Sequence, residues 1–473
     1  ALDLYRAQAA HLAAHLAALR APIPAEGLNG LQLACVGLVE DARAETLAIR
    51  RFPNLRRLWL PFHAETGPGT AGIFDRLARA WAEKNAVDLT IDHITHQGNK
   101  LWLTLAAESQ ARAGHDVMTF SNFYPALYAD HLEPVDEVVA ALEKAYGPVA
   151  SLATYMARIE GTWRAVPTAV GWQAFAMNSR LDYFRDIAGV DLRALFPAGP
   201  RDAATTAKID EIWTWRNFLG FAKKLHTAGH AFGNPIGPLG DSQNWVPSLF
   251  YGFGSFPMNE KGEVTLDSEA TREALAFMTE LTAVMPPEIY AWDDAGNNRW
   301  LISGQGSAIL NSPSPWAVAK RDAPQVAEQI WHHDVPAGPK GRFIGASPAF
   351  WGIWRFAQNK PAAKDFLLHM AQKEQQAVLI QGSQGYDLPP FRPMGDNPIW
   401  VESAPPAGTL FNYQNRGGQE LPVAGQPAPP PIAAQIHTQG LIPRLVARVT
   451  QGKETAKDAI AWATDELESY RRT

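Results

Sequence analysis

Between residues 55 and 120, the pattern of hydrophobic and polar positions changes repeatedly between that of a strand and that of a helix. Strands are predicted from short alternating or apolar runs at residues 55–62, 87–94 and 115–120. Ile73, Leu77 and Trp81 share one face of a helix after the first strand, and a second helix ends at Gly114. This strand and helix alternation predicts a parallel sheet with helices on both faces. Ligands of such sheets collect at the carboxyl ends of the strands.

Further along the chain, amphipathic helices carry recognisable start and stop residues. Helix starts are predicted at Thr214, Ser268 and Thr455, with Pro361 in the first turn of a helix within 359–382 and Asp458 completing a capping-box-like pair with Thr455. Gly229 and Gly382 are predicted stops. The proline-rich segment 422–434 is predicted to be a surface crossover without helix or central strand.

Length and charge narrow the class of protein. A chain of 473 residues with 46% hydrophobic and 19% charged residues favours two lobes over one core. The net charge of −6 argues against nucleic acid as a partner. No apolar run is long enough to span a membrane, and the first 19 residues lack a signal-peptide pattern, so we expect any export signal to have been removed already. Cys35 is the only cysteine, which excludes an internal disulfide.

Common catalytic and cofactor motifs are not found, and we expect no cofactor. The chain has no phosphate-binding P-loop, no dinucleotide fingerprint, no G-x-S-x-G and no H-E-x-x-H. In "WHHDVP" (331–336), His332 and His333 are adjacent, so on a strand they point to opposite faces and a shared metal site is not expected. His93 and His96 are interpreted as surface histidines.

Polar and aromatic residues gather at predicted element ends. The 16 tryptophans stand out, because an indole face suits a sugar ring as well as a protein core. Trp316 follows "SPSP", where the two prolines impose an extended loop, and it is either a core plug or a platform for a ligand. Amides, carboxylates and aromatic rings together favour a hydroxyl-rich ligand.

In the order of its sequence blocks, the chain resembles a known family over residues 56–470. The blocks are "GHDVMTFSNF", "GTWRAVPTAVGWQAFAMNSRLDYF", "TWRNFLGFAKKL", "NEKGEVTLDSEATREAL", "NNRWLISGQGSAILNSPSPW", "GASPAFWGIWRFAQNKPAAKDFLLHM", "GYDLPPFRP" and "VTQGKETAKDAIAWATDEL". They resemble the extracellular solute-binding proteins of bacterial ABC importers, family 1, the carbohydrate group that includes maltose-binding protein.

The resemblance implies an α/β fold of the periplasmic binding protein type, type II-like, with two lobes discontinuous in sequence and a hinge between them. The expected divisions are an N-terminal, mainly helical extension at 1–55, lobe 1 at 56–168 and 331–381, and lobe 2 at 169–330 and 382–473. Chain crossings between the lobes are expected near 165–172, 330–336 and 381–388.

The resemblance also implies a function. The chain is expected to be a monomeric periplasmic protein that captures a carbohydrate, from a monosaccharide to an oligosaccharide or a polyol, and delivers it to permease subunits of an ABC transporter. Trp316 matches the family's aromatic stacking position, whereas the acidic residue of some sugar binders is replaced around Gly171, Trp172 and Gln173. A glycoside-active enzyme, a binder of a non-sugar solute and an interaction module remain alternatives.

The ligand-binding residues predicted in this way come from both lobes. They are His63, Glu65, Ser121, Asn122, Trp172, Gln173, Asp241, Gln243, Asn244, Trp245, Asn297, Asn298, Trp316, Phe350, Trp351, Tyr386 and Arg392, with no catalytic or metal-binding residue among them.

Overall fold

The computed structural model describes residues 70–94, 100–197, 201–383, 385, 387–398 and 424–472. The strand predicted at 55–62 and the helix predicted near the N-terminus lie outside these ranges. Backbone contacts divide the chain into two compact units. The described part of the first unit is 88–94 with 100–114, and the second unit contains 70–87 and the described chain from residue 115 onward.

Helices and short strands alternate along the described chain. In chain order, the helices are α1 Thr70–Lys84, α2 Lys100–Ala111, α3 Tyr124–Leu127, α4 Asp136–Tyr146, α5 Ser151–Ala157, α6 Leu181–Tyr183, α7 Leu192–Leu195, α8 Ala203–Ile212, α9 Trp215–Thr227, α10 Gly240–Phe253, α11 Glu269–Thr282, α12 Gly296–Ile302, α13 Ser314–Asp322, α14 Pro324–Ala327, α15 Lys360–Met370, α16 Lys373–Gly382, α17 Pro430–Thr438, α18 Leu441–Thr450 and α19 Ala456–Tyr470. The strands are β1 Val117–Ser121, β2 Arg158–Ile159, β3 Thr162–Trp163, β4 Val166–Arg180, β5 Ala308–Asn311, β6 Ile330–His333 and β7 Gly345–Ile353.

Two long strands, β4 and β7, form the centre of the second unit. β7 pairs along its second half with β1 and with the first residues of β4, and its first residues pair with Gln173, Ala174 and Phe175 of β4. The register shifts between Thr168 and Gln173, so residues 169–172 bulge out of the ladder. β4 and β7 therefore run together through an irregular point, and each has regular pairing on both sides of it.

Beyond the bulge, the end of β4 lies between β5 and β6. β5 pairs with residues 176–179 of β4, and β6 pairs with residues 177–180. All pairings between the named strands of the described chain are antiparallel, so the parallel sheet predicted from residues 55–120 is not seen there. The alternation of apolar residues indicated burial, but it could not fix the direction of the partner strand.

The chain crossing expected near residues 330–336 stays a prediction. Strand β6 lies there, at Ile330–His333, and pairs only with the far end of β4. The strand that pairs with β4 on both sides of the bulge is β7. The pattern "WHHDVP" marked a buried strand correctly, because all of β6 is buried, but burial alone does not show which strands it joins.

Local signals at helix ends are confirmed. The side chains of Thr214, Ser268 and Thr455 each accept a hydrogen bond from a backbone N–H of the first turn, at 3.1 to 3.2 Å. Gly229 adopts a φ of +87° just after α9, which is the left-handed conformation that ends many helices.

Three predicted elements differ from the structure. Residues 87–92 alternate between half-buried and exposed positions, but residues 87–94 form no regular strand. The helix predicted at 359–382 is two helices, α15 and α16, separated at residues 371–372. The proline-rich segment contains the start of α17, because Pro430 and Pro431 occupy the first turn, where proline's missing N–H costs no helical hydrogen bond.

Candidate functional site

Helix α10 begins with an acidic first turn that a second acidic residue caps. Asp241 lies in this turn, and Leu239 at the N-cap position provides no side-chain hydrogen bond. Asp294 takes that role from the loop before α12, since its Oδ1 accepts a hydrogen bond from the backbone N–H of Asp241 at 3.1 Å. Free N–H groups and the helix dipole favour a carboxylate at this position. Two carboxyl groups therefore meet at the start of α10.

Two asparagine amides hold the buried carboxyl group of Asp241. Its Oδ2 accepts a hydrogen bond from Nδ2 of Asn297 at 2.7 Å and another from Nδ2 of Asn311 at 3.1 Å. Asn297 lies in the first turn of α12, and Asn311 is the last residue of β5. The carboxyl group thus connects the starts of two helices with the end of a strand.

Burial controls the charge of this acidic pair. It raises the pKa of Asp241 well above the usual range, and the neighbouring carboxyl of Asp294 acts in the same direction. Burial also raises the pKa of Asp294. The amide of Asn297 opposes the change at Asp241, but burial is the larger effect. Burial therefore opposes ionisation of both acids, and amide groups surround the carboxyl of Asp241.

Asn311 extends the network to the loop that precedes Trp316. Its Nδ2 lies 2.9 Å from Oδ1 of Asn298, and its Oδ1 accepts a hydrogen bond from the Ser312 backbone at 2.8 Å. Nδ2 of Asn298 in turn donates to Oγ of Ser314, the first residue of α13, at 3.2 Å. These bonds fix where α13 starts and therefore where the Trp316 side chain leaves the backbone.

Trp316 packs in a core cluster beside the bulge of β4. Its side chain is 5% exposed and belongs to a buried group that includes Ala169, Ile309 and Ile380. The ammonium of Lys320 lies 4.8 Å from the centre of a Trp316 ring, which is cation–π distance. The structure thus places the indole against the strand crossing, and its predicted stacking on a ligand stays a prediction.

The bulge itself is held by a side chain from α16 and lies against β7. The Oε1 atom of Gln376 accepts a hydrogen bond from the backbone N–H of Ala169 at 2.6 Å. Gly171 has a φ of +87°, and a methyl group at its position would lie 3.6 Å from Cβ of Ala349. A residue with a side chain would be strained there, so glycine allows the strand to turn at this point.

The segment after α16 binds the same bulge. Oδ1 of Asp387 accepts a hydrogen bond from the backbone N–H of Gly171 at 3.1 Å, and the N–H of Leu388 donates to the carbonyl of Trp172 at 2.9 Å. The backbone N–H of Asp387 donates to Oγ of Ser383 at 3.2 Å. Burial raises the pKa of Asp387 to about 7, although hydrogen bonds from Gly171 and Ser383 oppose this. Trp172 is fully buried at this junction.

Strand β7 brings together two predicted asparagines that are far apart in sequence. The backbone N–H of Asn122 donates to the carbonyl of Pro348 at 2.9 Å. The backbone of Asn244 packs on Gly345 so closely that a methyl group on this glycine would lie 2.6 Å from the Asn244 carbonyl oxygen. Oδ1 of both asparagines is buried and accepts no hydrogen bond from the described chain. Pro348 and Gly345 are three residues apart, roughly 10 Å along a strand.

Three of the predicted aromatic residues are accounted for by core packing. Nε1 of Trp245 donates to the carbonyl of Pro235 at 2.8 Å, and Phe350 is fully buried in β7. The ring of Trp351 packs edge-on against that of Phe74, with centroids 5.9 Å apart. These contacts explain why the side chains are large and buried, and a role in ligand binding stays untested.

The remaining predicted residues are spread more widely. Ser121 and Gln173 are half-buried and lie in paired strands, and Gln243 is buried in α10 beside Gly440. Arg392 is exposed at the start of a short 3-10 turn, away from the asparagine network. Three predicted residues lie outside the described ranges, namely His63, Glu65 and Tyr386.

Sequence reasoning missed two asparagines that organise the site. Asn311 was part of the segment that drew attention to Trp316, but it was not proposed as a site residue. Asn234 forms two hydrogen bonds with the backbone of Leu310, through Oδ1 at 2.8 Å and through Nδ2 at 3.1 Å. The available signal was an asparagine at the end of the apolar run "AILN", where a buried amide needs partners.

Of the histidines in "WHHDVP", His333 is held by hydrogen bonds within the protein. Nε2 of His333 lies 2.9 Å from Oγ of Ser179, and its Nδ1 lies 3.0 Å from the carbonyl oxygen of Asp334. The carboxylate of Asp334 pairs with the guanidinium of Arg201. In the part of the chain that the structure describes, no three potential metal ligands lie together, and no helix has the length and apolar character to cross a membrane.

Solved structures of solute-binding proteins have a similar fold. Maltose-bound MalE3 of T. maritima shares 19% identity, with 85% of this chain and 96% of that chain covered and a TM-score of 0.67. The GacH receptor of Streptomyces glaucescens GLA.O, solved without ligand and with acarbose, shares 18% identity over 86% and 96% of the two chains, with a TM-score of 0.66. A sugar transporter protein from Arthrobacter chlorophenolicus A6 with bound laminaribiose shares 18% identity over 85% and 96%, with a TM-score of 0.65.

These likenesses establish the predicted two-lobe α/β fold. Among curated protein sequences, none is significantly similar to this chain. The sequence profile of the bacterial extracellular solute-binding proteins matches residues 77–409, well over half of the chain. The chain therefore belongs to the family of bacterial extracellular solute-binding proteins, as its order of sequence blocks predicted.

Proposed function

We propose that this protein captures a neutral carbohydrate, a monosaccharide to an oligosaccharide or a polyol, and delivers it to the permease of an ABC importer. The observation that carries the proposal is the amide network of Asn297, Asn298 and Asn311 around the buried carboxyl of Asp241, directly before Trp316. Amides donate and accept hydrogen bonds, as sugar hydroxyls do, and an indole offers a flat apolar face.

The charge of the network favours a neutral ligand over an ionic one. Burial raises the pKa of both Asp241 and Asp294, and neither carboxyl forms an ion pair with a lysine or arginine in the described chain. A cationic ligand would meet carboxyl groups whose ionisation burial opposes. An anionic ligand would meet the same two acidic groups, which no lysine or arginine neutralises among the described residues. The structural neighbours with maltose, acarbose or laminaribiose bound support the same class of ligand.

The lobes move about the junction of β4 and β7 in this proposal. Residues 169–172, with Gly171 in a left-handed conformation, provide the first flexible point. Residues 345–348 of β7 provide the second, and Ser383, Asp387 and Leu388, which bond to one another and to the bulge, provide the third. Asn122 on one side and Asn244 on the other would then close on the solute. We propose a monomer that works outside the cytoplasmic membrane.

Binding, rather than catalysis, is the activity of the family and of its structural neighbours. A glycoside-active enzyme would need an accessible acid and base. Asp241 and Asp294 are the paired carboxyls at this network, and their oxygens already accept hydrogen bonds from backbone and amide groups. Release of product from a glycoside panel, abolished by changing a single carboxylate, would support the enzyme instead.

A thermal-shift screen tests the proposed function. Wild-type protein is heated with maltose, maltotetraose, laminaribiose, acarbose, tagatose or glycerol, and with amino acids and sugar phosphates as charged comparisons. A ligand at a hundredfold excess over its Kd stabilises the folded form by about 2.7 kcal/mol. We expect stabilisation by at least one neutral sugar. Stabilisation by the charged solutes alone would point to a binding protein for another class of solute.

A further inference from the structure

Helix α17 ends with a buried histidine that has an unused nitrogen. His437 is 3% exposed, and its Nδ1 has no hydrogen-bond partner in the described chain. Burial lowers the pKa of His437 to about 4, with no charged group contributing, so the ring is neutral at pH 7. Buried polar atoms in folded proteins nearly always have a hydrogen-bond partner, so the unused Nδ1 of His437 needs an explanation.

The ring of His437 contacts the residue that follows an asparagine with a second unused buried polar atom. Its ring packs against that of Phe123, with centroids 5.7 Å apart. Phe123 directly follows Asn122, which is 7% exposed and whose Oδ1 also has no donor in the described chain. Asn122 adopts a left-handed φ of +49°, so its position is held away from ordinary strand geometry at the end of β1.

The same end of α17 also reaches the start of α10. Gly440 follows this helix with a φ of +59°. A methyl group on Gly440 would lie 3.0 Å from Cα of Pro238 and 3.5 Å from Nε2 of Gln243. The two ends of the segment 437–440 therefore contact the region of Asn122 on one side and the region of Gln243 on the other.

We propose that His437 and Asn122 form a hydrogen-bonding subsite for hydroxyl groups of the solute, and this inference rests on the proposed function. A neutral imidazole nitrogen donates or accepts according to its tautomer, and the Asn122 oxygen accepts. A hydroxyl group can do both, so one hydroxyl or a neighbouring pair satisfies the two atoms. The subsite selects neutral, hydroxyl-bearing solutes because it supplies polarity without charge.

The first test uses the protein without ligand. His437→Phe keeps a ring against Phe123 and removes the unused nitrogen, so its thermal midpoint is expected at or above that of the wild type. His333→Phe is the matched control, because both nitrogens of that buried histidine have partners in the protein, and its midpoint is expected to fall. A fall of the same size in His437→Phe would show a structural histidine and overturn the proposal.

The second test measures the affinity for the neutral sugar that stabilises the wild type most, taken from maltose, maltotetraose, laminaribiose and tagatose. We expect at least a tenfold loss, equal to about 1.4 kcal/mol, in His437→Phe and in Asn122→Ala. His437→Asn, whose amide reaches the place of Nδ1, is expected to recover most of it. Unchanged affinity in His437→Phe would overturn the subsite while leaving the proposed function intact. If no neutral sugar stabilises the wild type, the proposed function fails and the subsite with it.

Discussion

At the scale of single residues, Asn311 organises the site although it was not among the predicted site residues. Its side-chain amide donates to the Asp241 carboxyl and lies within hydrogen-bonding distance of both Asn297 and Asn298. Its oxygen accepts from the backbone of Ser312. Removing it would leave several buried polar groups without a partner, and each such group costs roughly 1–3 kcal/mol.

Asn311→Leu is therefore expected to lower the free energy of unfolding by about 2–4 kcal/mol, from the polar partners that it leaves unpaired. The measurement is urea denaturation at pH 7. Asn85→Leu is the control, since that residue is exposed and bonds only to the backbone of Trp81, and a change below about 0.5 kcal/mol is expected there. Equal effects of the two substitutions would contradict the role assigned to Asn311.

The residue scale also shows what a sequence can predict. Thr214 and Ser268 were identified as N-caps because each contacts a backbone N–H only three residues away. Asp294 acts as a cap for a helix that starts 54 residues earlier, and Asn311 bonds to a carboxyl 70 residues away. Such partners are adjacent only in the folded chain, so a local pattern does not reveal them.

At the scale of elements, the bulge of β4 is joined to the segment after α16 by a carboxyl group that titrates near neutrality. In the folded protein burial raises the pKa of Asp387 to about 7, whereas the ordinary value is 3.8. Between these two values the unfolded chain has lost the proton and the folded chain retains it. The contribution of Asp387 to stability is therefore fully present below about pH 4 and is lost as the pH rises through about 7.

Asp387→Asn keeps an oxygen for the N–H of Gly171 and cannot ionise. We expect the free energy of unfolding of this variant, relative to wild type, to rise between pH 5 and pH 8. Urea denaturation at the two pH values measures this difference directly. Asp396→Asn, at an exposed ion pair with Lys373, is the control and is expected to show little change. A flat difference for Asp387→Asn would show that its carboxyl is ionised in the folded protein.

Strand β6 adds a pH dependence of the opposite sign. Burial lowers the pKa of His333 to about 3, below the ordinary value of 6.5. Between these values the unfolded chain binds a proton that the folded chain does not, so stability falls as the pH drops from about 6.5 toward 3. His333→Gln is expected to be less stable than wild type at pH 7 but to lose less stability between pH 7 and pH 5. A parallel loss in both proteins would contradict this assignment.

Elements were predicted well where a single helix carried its own signals, and less well where pairing decided the outcome. The helix from Trp215 to Thr227 could be predicted from its apolar face and its cap. The pairing of the later strands could not, since "WHHD" and "GASPAFWGI" are both buried strands and only the ladder shows that the second one pairs across the bulge.

At the scale of the whole molecule, the proposed function requires the two lobes to rotate about β4 and β7. Trp316 is 5% exposed and packs against Ala169 in the bulge, so a solute can reach its ring only if this region opens. Rotation of two rigid lobes is a common response of binding proteins to ligand. We expect small-angle scattering to show a smaller radius of gyration at a saturating concentration of the best neutral sugar. An unchanged scattering curve at demonstrated saturation would exclude closure as the response to binding.

In the proposed function, Trp316 and its asparagine network bind a neutral sugar. Isothermal titration calorimetry of wild type and Trp316→Ala, with the sugar that gives the largest thermal shift, tests it most directly. Trp316→Ala is expected to lose at least tenfold in affinity, about 1.4 kcal/mol. Trp245→Phe, which changes a core tryptophan, is expected to lose less. An affinity of Trp316→Ala within about threefold of wild type, roughly 0.7 kcal/mol, would show that the indole only fills the core.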